Sequence, residues 1–181
     1  GAGSTKNLRA ALLPMNKLDG VLLTHFHSDH IAELYEVNLA SWVAGRPESM
    51  KVYGPKGVKK ITSGINSTYQ MDVQYRTEHH GSEFLPAKSG KLQPVRLDVG
   101  EALTIGSLKI TSFNADHSPI EPAVSYRIEY KGRVVVVTGD TNVTETLGEQ
   151  VKGIDLLLTD ALSVTILDRM IAAATEAGRS R

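Results

Sequence analysis

The segment THFHSDH, residues 24–30, contains three of the six histidines of this chain and an aspartate. It overlaps the end of DGVLLT (19–24), a short apolar run that predicts a buried strand. In an extended chain, residues i and i+2 point to the same side, about 6.6 Å apart. His25 and His27 can therefore reach one ion above that face of the strand.

Asp29 and His30 are adjacent, so they face opposite sides of an extended chain, and the backbone must turn before they can join a shared site. They fit a second ion. Imidazole and carboxylate ligands without a thiolate are typical of hydrolytic zinc, iron or manganese sites. A single histidine after a buried strand is usually a hydrogen-bonded loop residue, but this many unpartnered polar groups would be costly to desolvate. The loop therefore predicts a catalytic metal site.

Composition limits the remaining function classes. With 181 residues and 41% hydrophobic content, the chain is long enough for one globular domain over 1–181. Twenty basic and twenty acidic residues cancel, so we expect no general attraction to nucleic acid or anionic membranes. The absence of cysteine excludes disulfides and thiolate ligands. We expect no membrane span and no targeting segment in this chain, which leaves a soluble protein of the cytoplasm or periplasm.

The first half of the chain alternates predicted helices and strands. The expected elements are a helix over 5–13, a strand over 19–24, a helix over 31–45, a strand over 51–55 and a largely helical region over 57–77. The segment RTEHHGSEF (76–84) is polar, and we expect either a solvated loop or a lid over the site.

The second half favours strands, followed by helices around one more strand. Strands are predicted over 93–100, 101–106, 108–115, 123–130 and 133–140, then a helix over 143–151, a buried strand over 154–160 and a helix over 163–178 that ends at Gly178. RVVVVTGD (133–140) is apolar on both faces and should lie inside a sheet. One of Tyr126 and Arg127 should point inward. This pattern predicts a layered α/β (α+β) domain.

The pattern His25-x-His27-x-Asp29-His30 resembles the signature loop of the metallo-β-lactamase superfamily. ADHSPIEPAVSYRIEY (115–130) is similar to its third motif, and VVVTGDT (135–141) to its fourth. The resemblance implies an αββα sandwich, incomplete at both ends in this chain. It also implies that His117 completes the first metal site and that Asp140 bridges two metals, whereas an isolated Asp after a strand is often only a turn residue.

Within the superfamily, HSPIEPAVSYRIEYKGR (117–133) is most similar to the ribonuclease Z-like branch. That branch carries a tRNA-gripping arm between the third and fourth motifs, and a His-Glu pair where this chain has Thr159 and Asp160. Neither feature is present. The family also places another histidine near the C-terminus, whereas here none follows His117. The resemblance therefore carries over the chemistry and not the tRNA substrate.

The resemblance implies a hydrolase that uses two divalent ions, zinc first with iron or manganese as alternatives, to activate water toward a phosphodiester or small ester. Asp29 is expected to orient the water, and His80 to donate a proton if it lines the pocket. The alternative is a metal-binding member with little catalysis that acts in binding or transport, and β-lactam hydrolysis ranks lower. The expected partners are a small-molecule ester or phosphodiester and, as an open possibility, a second copy of the chain.

Overall fold

Three parallel strands, in the order β1-β2-β3, form the first sheet of the computed structural model, which describes residues 1–179. The strands are β1 (Gly20–Leu22), β2 (Met50–Gly54) and β3 (Leu92–Arg96). Parallel neighbours require long crossover connections, and helices supply them here. The helices of this half are α1 (Ser4–Ala10), α2 (Ser28–Ile31), α3 (Leu34–Val43), α4 (Val58–Thr68) and α5 (Gln70–His80). Helix α4 packs on β2 and β3.

Five strands form the second sheet, in the order β4-β5-β6-β7-β8. They are β4 (Ala102–Ile105), β5 (Leu108–Asn114), β6 (Val124–Tyr130), β7 (Arg133–Val137) and β8 (Leu156–Leu158). Strands β4 to β7 pair antiparallel, and β8 runs parallel to β7. Helix α6 (Glu145–Gln150) lies between β7 and β8 in sequence and packs against β5, and α7 (Val164–Glu176) follows β8.

The end of β1 is attached to β6 of the other sheet. Leu22 packs against the apolar cluster of the second sheet, which includes the buried Tyr126. The Tyr126 hydroxyl donates a hydrogen bond to the Leu23 carbonyl at 2.6 Å, and the Val124 amide donates to the Thr24 carbonyl at 2.9 Å. These bonds fix where the chain leaves β1, which is where the histidine loop begins.

We expect Tyr126→Phe to lower the free energy of unfolding by about 1–3 kcal/mol, because the Leu23 carbonyl loses its buried donor. Burial raises the pKa of the Tyr126 hydroxyl, so it remains a donor across the working pH range. Urea denaturation measures the effect. Tyr130→Phe is the control, since Tyr130 is exposed, and its stability should change by less than about 0.5 kcal/mol. Equal effects of the two substitutions would contradict the assignment.

The predicted α/β class is confirmed, and β7 lies inside the second sheet as expected. Of Tyr126 and Arg127, Tyr126 is the one that points inward, while Arg127 donates to the Gln150 carbonyl at 2.6 Å. Gly178 has a φ of +66° just past α7, as a helix-ending glycine should. Among residues 1–179, every helix is too short or too polar to reach across a bilayer.

The helix expected over 31–45 is present as α3, which begins three residues later, at Leu34, after the short α2. Two other predictions of local structure were wrong. The strand expected to be buried at 154–160 exists as β8, but its three leucines are 40–51% exposed since β8 has only β7 beside it among the described residues. The segment 76–84, expected as a solvated loop or a lid, continues α5 to His80 before it turns.

Candidate metal centre

Three histidines from two parts of the chain converge at the edge between the sheets. His25 Nε2 lies 3.2 Å from His27 Nδ1, and His117 Nε2 lies 3.2 Å from that same His27 atom. One ligand atom from each of the three residues lies within 4.8 Å of the others. The structure therefore brings together the residues predicted to hold the first metal.

The donor set fits a tetrahedral cation. Ligand nitrogens about 2.05 Å from such an ion are separated by about 3.3 Å, close to the two measured separations. Hydrogen bonding alone does not explain the cluster. A neutral imidazole nitrogen carries at most one proton, so His27 Nδ1 can serve one neighbouring Nε2 but not both. A shared cation would satisfy all three nitrogens.

His25 is the most deeply placed of these ligands, with no exposed surface. Burial lowers its pKa to about 4, the neighbouring His30 acts in the same direction, and Asp140 opposes them. The imidazole is therefore neutral at neutral pH. Neutral imidazole is the form that binds a metal.

A second group lies beside the first. His25, His30 and Asp140 offer ligand atoms within 4.8 Å of one another. Asp140 Oδ1 lies 3.2 Å from His30 Nε2, and Asp140 Oδ2 lies 3.9 Å from His117 Nε2. The carboxylate thus faces both groups with different oxygens, as a bridging carboxylate can.

Asp29 stands at the outer side of the second group. Its Oδ2 lies 3.4 Å from His30 Nε2, and its side chain is 74% exposed. His27 is the N-cap residue of α2, so the helix begins within the histidine loop and turns Asp29 and His30 toward one side. This turn supplies the change of direction that the sequence required.

The loop of His117 is tied to the loop of Asp140 through Asp116. The Asp116 amide donates to Thr141 Oγ1 at 2.9 Å, and the Asn142 amide donates to the Asp116 carbonyl at 2.8 Å. The hydroxyl of Ser118 donates to Asp116 Oδ1 at 2.8 Å and holds the pKa of that carboxyl below its ordinary value. These bonds keep His117 and Asp140 in a common frame.

His80 lies outside both groups. It occupies the exposed last turn of α5, where its ring packs edge-on against His79 with the centroids 4.6 Å apart. A part for His80 in proton transfer stays a prediction.

Two residues of the centre received no role from the sequence. Thr24 Oγ1 lies 3.1 Å from His25 Nδ1, on the side of the ring opposite to the cluster. Gly139 precedes Asp140 with a φ of +63°, and a Cβ there would lie 2.7 Å from Thr24 Cβ. The glycine before the aspartate in TGDT was the one signal available in the sequence.

The chain matches the family described as the beta-lactamase superfamily domain over residues 3–178. It belongs to that family. Ribonuclease Z of Mycobacterium bovis is 32% identical over 161 residues, which cover 87% of this chain and 56% of the relative. The predicted metallo-β-lactamase superfamily and its ribonuclease Z-like branch are confirmed.

Solved structures agree on the fold. The metallo-beta-lactamase fold protein YhfI from Bacillus subtilis matches with a TM-score of 0.64 and 22% identity, over 87% of this chain and 56% of that one. Zn²⁺-bound PqqB from Methylobacterium extorquens matches with a TM-score of 0.61 and 18% identity, over 100% of this chain and 59% of that one. The chain spans a little over half the length of each of these proteins.

Proposed function

We propose that this chain carries the metal centre of a hydrolase of phosphodiester bonds. His25, His27 and His117 would hold one divalent cation, and Asp29, His30 and Asp140 would hold a second, with Asp140 shared between them. The carrying observation is that three ligand nitrogens converge beside a carboxylate that faces both groups. Zinc suits the first group best, while iron and manganese accept the same ligands.

Divalent cations in such a site supply Lewis acidity and lower the pKa of bound water toward neutrality. The side chains of the protein hold the cations and orient the water and the substrate. The Asp29 side chain is exposed, and its Oδ2 atom faces His30. Its other oxygen, Oδ1, can accept a hydrogen bond from water or from a substrate hydroxyl. His80 is proposed as a proton donor, which would require a substrate long enough to reach the end of α5.

We propose the phosphodiester bond of an RNA chain as the substrate. The Mycobacterium bovis relative is named ribonuclease Z, which favours RNA over a small ester. The zero net charge of the chain gives no general attraction to a polyanion, so this part of the proposal rests on the relatives alone.

A second candidate function is metal binding with little catalysis. It is favoured by the ligands proposed for the second cation, because His30 is the one histidine among them and Asp29 is 74% exposed. Such a group would hold its cation weakly.

We expect the protein to bind two cations per chain and to hydrolyse bis(p-nitrophenyl) phosphate. Chelation should abolish turnover, and added Zn²⁺ or Mn²⁺ should restore it, because the ligands themselves supply no nucleophile. Plasma emission spectroscopy measures the metal content, and release of p-nitrophenol measures the rate. A short RNA and p-nitrophenyl acetate, assayed in parallel, separate the substrate classes.

Two histidine variants are compared, and His79→Ala is the control for His27→Ala. His27→Ala should lose the first cation and its turnover, whereas His79→Ala should retain both, since His79 lies on α5 outside both groups. One cation per chain without turnover would favour the binding protein. If neither the wild-type protein nor His79→Ala bound a cation, both candidate functions would be contradicted.

A further inference from the structure

The hydroxyl of Thr24 contacts the outer nitrogen of a buried metal-ligand candidate. Thr24 Oγ1 lies 3.1 Å from His25 Nδ1, while His25 Nε2 faces His27 Nδ1 at 3.2 Å. The two nitrogens of this ring therefore have separate partners, one on each side. His25 is fully buried, so water does not substitute for either partner.

This arrangement determines which tautomer of His25 can bind a cation at the cluster. A neutral imidazole carries one proton, and the nitrogen without it is the one that can bind a cation. If Nε2 faces the cation, the proton must lie on Nδ1 and needs an acceptor. Thr24 Oγ1 is the acceptor in position.

Thr24 is itself held from two directions. Its carbonyl accepts a hydrogen bond from Val124 of β6 at 2.9 Å, and its side chain fills the space where Gly139 has no Cβ. Any Cβ at Gly139 would lie 2.7 Å from Thr24 Oγ1. The hydroxyl is thus wedged between His25 and the backbone that leads into Asp140, and rotation away from His25 is opposed by packing.

We propose that Thr24 is a positioning residue that holds the proton of His25 on Nδ1 and so keeps Nε2 free for the first cation. The inference rests on the proposed function for its cation, but its effect on the tautomer belongs to the metal-free protein. Outer partners of metal-bound histidines fix ring orientation and tautomer in this way, and their loss weakens metal affinity.

The test compares Thr24→Val with Thr24→Ser. Valine keeps the branched shape that packs on Gly139 and removes only the hydroxyl, whereas serine keeps the hydroxyl. We expect Thr24→Val to weaken Co²⁺ or Zn²⁺ affinity at the first site by about 10–100-fold, and Thr24→Ser to retain most of it. Competition with a chromophoric chelator gives the affinity. Long-range ¹H–¹⁵N spectra of the metal-free protein give the tautomer of His25.

Thr77→Val is the matched control, because the half-buried Thr77 donates to the Leu85 carbonyl at 2.9 Å and touches no candidate ligand. It should leave both cation affinity and the His25 tautomer unchanged. Wild-type His25 protonated on Nε2 in the metal-free protein would overturn the inference, even if Thr24→Val did not fold. So would Thr24→Val with wild-type affinity and an unchanged tautomer. A wild-type protein that binds no cation contradicts the proposed function instead, and the tautomer measurement still decides the inference.

Discussion

Asp140→Asn is expected to reduce the hydrolysis of bis(p-nitrophenyl) phosphate by about a thousandfold, and to lower the metal content from two cations toward one. Asp140 faces His30 with one oxygen and His117 with the other, so its negative charge is shared by both groups. Asparagine keeps the shape and removes the charge. Losing several kcal/mol of transition-state charge stabilisation corresponds to a rate loss of about 10³.

The comparison for this substitution is Asp168→Asn. Asp168 is exposed on α7, and removing its charge should leave both turnover and metal content unaltered. The free energy of unfolding of both variants should be measured beside the kinetics. An Asp140→Asn protein with full turnover would exclude a bridging role for this carboxylate.

Gly139→Ala is expected to lower the free energy of unfolding by about 2–5 kcal/mol, through a steric contribution and a backbone contribution. Its Cβ would meet Thr24 Cβ and Oγ1 at 2.7 Å, far inside van der Waals contact. Relieving such a clash costs about 1–3 kcal/mol. The backbone φ of +63° adds about 1–2 kcal/mol for any residue with a Cβ. Cation affinity should fall as well, because the clash lies between the loops of His25 and Asp140.

Gly153→Ala separates these two contributions. Gly153 has a φ of +66°, close to that of Gly139, and open space where its Cβ would lie. It should lose only the backbone contribution, about 1–2 kcal/mol, and keep its cations. Urea denaturation of the metal-free proteins measures both changes. Equal losses for the two alanines would show that the contact with Thr24 does not matter.

Three of the candidate ligands could be predicted from sequence because each one follows a recognisable strand. His25 and His27 follow β1, and Asp140 follows β7, so their placement needed only the rule that strand ends meet at the edges of sheets. His117 needed the resemblance, since ADHSP alone is an ordinary polar turn. What the sequence could not give is the distance between the two sheets, and that distance decides whether these groups converge.

The wrong predictions of local structure also have their cause in contacts between distant parts of the chain. An apolar run such as that of β8 predicts a strand, but its burial depends on which element lies beside it. His79 and His80 lie in a polar segment whose composition suits a loop, and the structure continues α5 through them. Thr24 was overlooked because its role depends on a 3.1 Å contact to a neighbouring ring and on a glycine 115 positions later in the chain.

His25 follows a strand of the first sheet and Asp140 follows a strand of the second, so cations held between them would tie folding to ligand concentration. An ion that binds the folded protein and not the unfolded chain stabilises the native state by RT ln(1 + [L]/Kd). This is about 2.7 kcal/mol when the free ion concentration is about a hundredfold above Kd. Melting temperatures of this protein are then properties of the buffer as much as of the polypeptide. A trace chelator in a purification would remove this stabilisation.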